Sequence, residues 1–152
     1  MQRAACQGGH CRGTIPLVFF MGLTLLLFPI IARADYIAPE RLPGITSINA
    51  EQFIALAQQE TVVIIDSRLA VDRSQGYIEY SVGLFDTATD CNSLTTLAPK
   101  ATTPLLFYCN GVKCPRSGRA ATIAQACGYT RVFWLRGGLD EWKKKKYPYL
   151  KK

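Results

Sequence analysis

Histidine is nearly absent from this chain of 152 residues. The single one, His10, lies in a segment that reads as a removable leader. The chain beyond that segment has no imidazole, which excludes a nucleophile activated by a histidine base. Acidic residues are also few, 11 against 18 basic. That excess does not describe a nucleic-acid surface. Arg3, Arg12 and Arg33 fall in the leader, and six lysines crowd the extreme C-terminus: Lys143 to Lys146, Lys151 and Lys152. The rest is close to neutral, so a nucleic-acid partner is excluded. The cysteines contain no C-x2-C pair, so their spacing does not describe a zinc site, and no metal or cofactor is expected. There is no internal repeat and no low-complexity run.

Residues 1–34 read as a secretory signal peptide. Arg3 and Arg12 supply a positive start, Ile15 to Ile31 is almost wholly apolar, and Ala32-Arg33-Ala34 has the small-x-small form of a cleavage site. The apolar run is shorter than the ~20 residues of a spanning helix, and Pro29 interrupts it. Cleavage is predicted after Ala34, with a periplasmic location and no stable membrane insertion afterwards. Removing 34 of 152 residues leaves 118, the size of one domain. It carries 15 basic and 11 acidic residues and four cysteines: Cys91, Cys109, Cys114 and Cys127. Residues 35–44, with Pro39 and Pro43, read as an extended lead-in to a domain over 45–152.

The chemistry concentrates in Leu105 to Ser117, LLFYCNGVKCPRS. Leu105 to Tyr108 is a run of strand formers, and a helical pattern starts at Ser117. Cys109 therefore stands where a buried strand ends and a helix is about to begin. Unpaired amides and the helix dipole make such a place electropositive. A thiol there can fall from a pKa of about 8.5 to roughly 3.5–7.5. Asn110, Gly111, Val112 and Lys113 are read as the loop that cradles an anion. Lys113 and Arg116 add positive charge, and Ser117 is read as a helix cap that also donates to the bound group. The reading requires a charged sulfur at Cys109 that solvent can reach.

The remaining elements alternate. Ile45 to Ile48 is a short strand. Asn49 caps a helix, with Gln52 in the capping-box position. Thr61 to Ile65 is a β-branched run of the kind buried on both faces of a parallel sheet. It ends in Asp66-Ser67-Arg68, where Asp66 and Arg68 are read as a pair that fixes the loop. Leu69 to Gln75 is a short helix, with a small strand near Val82 to Leu84. Phe85 to Thr103 is irregular, with one helical turn at Leu94 to Ala98. Ser117 to Cys127 is a helix with Gly128 beyond its end. Its stripe of Ala120, Ile123, Ala124 and Cys127 assigns Cys127 to core packing. A strand at Arg131 to Leu135, a tight turn at Arg136 to Gly138 and a helix from Leu139 to Lys145 complete the pattern. It predicts an α/β domain with a central parallel sheet flanked by helices.

Five segments in order resemble the rhodanese family of sulfurtransferases. They are VVIIDSR at Val62–Arg68, DRSQGYIEYSVGL at Asp72–Leu84, FYC…RSGRAA at Phe107–Ala121, CGY at Cys127–Tyr129 and LRGGLDEW at Leu135–Trp142. The second is a degenerate form of the family's glycine-histidine-isoleucine-proline segment. The resemblance implies that Cys109 is a nucleophile taking sulfane sulfur from a small anionic donor such as thiosulfate. It implies a persulfide that passes to a thiophilic acceptor, with no histidine needed. The loop departs from common single-domain members, in which Arg-Ser begins five residues after the Cys; here Arg116 is seven residues after Cys109. A second thiol, Cys114, lies inside it, as in a subgroup of exported relatives with a CNG-x-x-C loop.

Two readings of the second thiol stand side by side. Cys114 resolves a persulfide or sulfenic acid on Cys109 and leaves a Cys109–Cys114 disulfide, which a thioredoxin-like reductant reopens. Or it is a bystander. A Cys91–Cys127 disulfide is the competing use of the cysteines. Beyond sulfur transfer, a dithiol/disulfide redox protein and a non-catalytic binding module remain open.

Overall fold

The computed structural model describes residues 35–151. The expected signal peptide lies outside the described residues. Strands and helices alternate: β1 (Thr46–Ile48), α1 (Ala50–Gln59), β2 (Val63–Asp66), α2 (Ala70–Ser74), β3 (Val82–Gly83), α3 (Cys91–Leu97), β4 (Leu105–Tyr108), α4 (Arg116–Ala126), β5 (Val132–Leu135) and α5 (Gly138–Lys144). A 3-10 turn over Asp86–Ala88 precedes α3. The five strands form one parallel sheet in the order β1-β5-β4-β2-β3. The chain is thus an α/β fold of the expected kind. No described helix is long and apolar enough to cross a membrane.

The sheet is buried on both faces because its strand residues are apolar on both. On one face Ile65, Leu105, Phe107 and Trp134 pack against Leu94 of α3 and Ala120, Ala121 and Ala124 of α4. On the other, Ile64, Leu106, Tyr108 and Leu135 pack against Ala50 and Phe53 of α1 and Leu139 and Trp142 of α5. β4 is fully buried and central. The strand after which the chemistry was expected is therefore the best-supported one in the sheet.

Local signals account for the element ends. Asn49 accepts from the Gln52 amide while Gln52 accepts from the Asn49 amide, the capping box read from the sequence. The irregular stretch corrects an expectation. Its helix is α3, beginning at Cys91 rather than Leu94, because Asp90 and Ser93 form a second capping box. A serine in place of the usual Glu or Gln hid that signal. Cys127 is likewise not plain core packing. It is bonded to Cys91, with Cα atoms 5.4 Å apart, and joins the start of α3 to the end of α4.

Candidate functional site

The loop leaving β4 curls back on itself. The Cys114 amide donates to the Gly111 carbonyl at 3.0 Å, which returns the chain toward the strand end. Cys109 and Cys114 are joined by a disulfide, with Cα atoms 6.2 Å apart. This is the Cys109–Cys114 disulfide of the resolving-thiol reading, and the charged, solvent-reachable sulfur is not present in this form. In this form neither sulfur carries a charge, and Cys109 is 1% exposed. Cys114 is 8% exposed and lines an open cleft of about 530 Å³. Residues 110–116 form most of that cleft, with Arg119 and Asp140 completing it. The four cysteines among the described residues are joined in two disulfides.

The loop backbone is sorted by polarity. The carbonyls of Cys109 and Asn110 accept from the Leu139 and Asp140 amides at 2.9 and 2.7 Å. The carbonyl of Gly111 accepts from Cys114, and that of Val112 from Ala38 at 2.7 Å. Four successive carbonyls are thus engaged by the protein. Among the described residues, the amides of Asn110, Gly111, Val112 and Lys113 donate to nothing. Successive unpartnered N–H groups in a turn are the donors from which anion-binding loops are made. Gly138, at φ +56°, allows the approach of α5, since a Cβ there would overlap the Cys109 and Asn110 carbonyls. Pro115, not Ser117, stands at the N-cap of α4, and no side chain caps that helix. Ser117 is instead buried in the first turn and accepts from Trp134 Nε1 at 2.9 Å.

The cations are less free than the sequence suggests. Lys113 pairs with Asp35 at 3.0 Å and Arg116 with Asp72 at 3.5 Å. Arg119, which sequence reasoning did not single out, lines the cleft and pairs with Asp86 at 3.3 Å. These partners come from distant segments, which is why spacing within the loop did not reveal them. Asp140, also missed, brings a carboxylate to the cleft; a Cβ on Gly111 would run into it. The exposed Lys113–Asp35 pair is weak and readily exchanged for a bound anion.

Beneath the loop lies a buried polar network. Asp66 accepts from Arg68 at 2.6 and 2.8 Å, from Arg73 at 2.9 Å and from the Tyr108 hydroxyl at 2.8 Å. Arg68 also donates to the Asn110 side chain at 3.3 Å and to the Gly76 carbonyl at 2.7 Å. Asp66 and Arg68 thereby connect β2 to the loop that carries Cys109. Burial alone would raise the Asp66 carboxyl, but the hydrogen bonds and charge of Arg68 outweigh it and hold it below its usual value. Burial, then the Asp66 charge, pushes Tyr108 up to about 12. Ser67, between Asp66 and Arg68 in sequence, is buried, and its hydroxyl has no partner among the described residues.

The rhodanese-like domain model matches residues 49–145. The chain belongs to the rhodanese-like domain family. No curated protein matches it. Among solved structures, this rhodanese-like domain is similar to the BH2092 protein from Bacillus halodurans, at 21% identity over 77% of each chain with a TM-score of 0.60. It is similar to the polysulfide-sulfur transferase homodimer from Wolinella succinogenes, at 16% identity over 72% of this chain and 80% of that one, TM-score 0.60. It is also similar to thiosulfate sulfurtransferase from Pseudomonas aeruginosa, at 21% identity over 70% of this chain, TM-score 0.57. It spans 20% of the Pseudomonas chain. At these identities the likeness is one of fold.

Proposed function

We propose that the protein is an exported, periplasmic sulfurtransferase that works once its loop disulfide is reduced. Cys109, 1% exposed while the disulfide holds, is the nucleophile once reduction opens the loop and lets the donor reach it. Its thiolate attacks the outer sulfur of a thiosulfate-like donor, the S–S bond of the donor breaks, and sulfite leaves with the electron pair. The product is a Cys109 persulfide, which passes its outer sulfur to a thiophilic acceptor. The observation that carries this reading is the run of four unpartnered amides over residues 110–113, directly after Cys109. Such donors stabilise a thiolate and a persulfide in place, without a proton acceptor. Lys113, Arg116 and Arg119 favour an anionic donor at the same cleft.

The Cys109–Cys114 disulfide gives a second reading specific support. Cys114, as thiolate, attacks Cys109 Sγ of the persulfide, releases hydrosulfide and forms the disulfide. A thioredoxin-like reductant then returns both thiols. In a dithiol/disulfide protein this cycle is the main activity and sulfur transfer is secondary. A binding module would do neither. Reduced protein loaded with thiosulfate and then given cyanide separates the three. Thiocyanate release that vanishes in Cys109→Ala is the expected result. A cycling disulfide without thiocyanate would favour the redox protein, and neither signal would leave the binding module.

A further inference from the structure

The two sulfurs of the loop disulfide are not equivalent. Cys109 is 1% exposed and does not line the cleft, whereas Cys114 does. A nucleophile arriving from the cleft therefore meets Cys114 before Cys109. With Cys114 only 8% exposed, a small nucleophile is favoured, and the cations Lys113, Arg116 and Arg119 at the cleft favour an anion. The departing group would be the Cys109 thiolate. It would separate beside the unpartnered amides of residues 110–113. A better stabilised thiolate is a better leaving group.

We propose that the oxidised, disulfide form is itself reactive, taking up hydrosulfide at Cys114 and storing it as a persulfide without prior reduction. Hydrosulfide attacks Cys114 Sγ, a new S–S bond forms, and the Cys109–Cys114 bond breaks with its electron pair going to Cys109. The products are a Cys114 persulfide and a Cys109 thiolate. The sulfide sulfur is oxidised, the disulfide is the oxidant, and no other reactant is consumed. The Cys109 thiolate can then attack the outer sulfur of that persulfide, which moves to Cys109 and frees the Cys114 thiolate. The disulfide is thus a second loading state, opposite in electron demand to the thiosulfate route. This inference rests on the loop being a sulfur-handling site, but not on thiosulfate being a donor.

The test uses the full mature protein, fully oxidised and freed of reductant, mixed with sodium sulfide without oxygen and quenched in acid at successive times. The expected result is a mass gain of one hydrogen sulfide molecule per chain. Trypsin cutting after Lys113 and Arg116 separates the two cysteines, with Cys109 in peptide 101–113 and Cys114 in peptide 114–116. At the earliest time the extra sulfur is expected on 114–116. Pre-reduced protein treated identically is expected to gain nothing, because no disulfide accepts the electron pair. No uptake by the oxidised protein, equal uptake by the reduced protein, or first appearance on 101–113 would each overturn the proposal. Thiosulfate loading of reduced protein is a separate measurement. If it fails while oxidised protein takes up sulfide, the thiosulfate reading falls and this one stands; with the converse pattern this one falls and the thiosulfate reading stands.

Discussion

The two disulfides of this domain differ in what surrounds them. Cys91–Cys127 spans 36 residues and joins the start of α3 to the end of α4. Cys109–Cys114 spans five residues, closes a loop of unpartnered amides and has one of its two cysteines, Cys114, lining a cleft. Loop-closure entropy gives roughly 4 kcal/mol of stabilisation for the first and roughly 2 kcal/mol for the second. The longer link is worth more to the fold, and the shorter one sits where sulfur chemistry has donors, cations and access. Sequence position alone does not separate a staple from a reactive pair; the polar groups left unpaired around it do.

Experiments can break that contrast, and the largest effect is expected at the loop. Cys109→Ala should reduce thiocyanate release to background, while circular dichroism reports an intact fold. Retained turnover would move the chemistry elsewhere. Next, Arg68→Met strips a buried carboxylate of its main partner, which costs roughly 3–5 kcal/mol in urea unfolding. Because the Asp66 carboxyl is held below 3.8, its contribution is full above that pH and is lost as the pH falls below it. The variant should therefore lose the corresponding part of the acid unfolding slope. Replacing Cys91 and Cys127 together by Ala should remove roughly 4 kcal/mol of stability and leave thiosulfate loading of Cys109 unchanged. A matching loss of loading would show that the staple also shapes the site.

A smaller effect is expected from Tyr108→Phe. The phenol is raised from 10.0 to about 12, so the folded state holds that proton more tightly. Wild-type stability should fall by roughly 2–3 kcal/mol as the pH rises from 10 to 12, and the variant should lack that component. Smallest of all is Lys113→Ala. Its pair with Asp35 is 69% and 77% exposed and should be worth about 0–1 kcal/mol, so only donor affinity should change. A large stability loss would mean that the lead-in clamps the loop.

Most of the scaffold was legible in the sequence because its signals are local. The β-branched run ending at Asp66, the Asn49–Gln52 capping box and the buried Trp142 each declare their element within a few residues. The site was legible only where it too is local, in the placement of Cys109 between β4 and α4. What escaped depends on contacts made across the fold. Asp35, Asp72 and Asp86 reach the loop cations from three separate segments, and Asp140 arrives with α5. The burial of Cys109, and the choice between core packing and the Cys91 disulfide for Cys127, follow from how α3, α4 and the curled loop pack. Residue spacing does not encode that.

The most direct test is the intact mass of the reduced protein after thiosulfate, followed by tryptic mapping. One added sulfur atom, on peptide 101–113, is the predicted outcome. A protein that gains no sulfur when fully reduced, or gains it only on peptide 114–116, would contradict the assignment of Cys109 as the carrier.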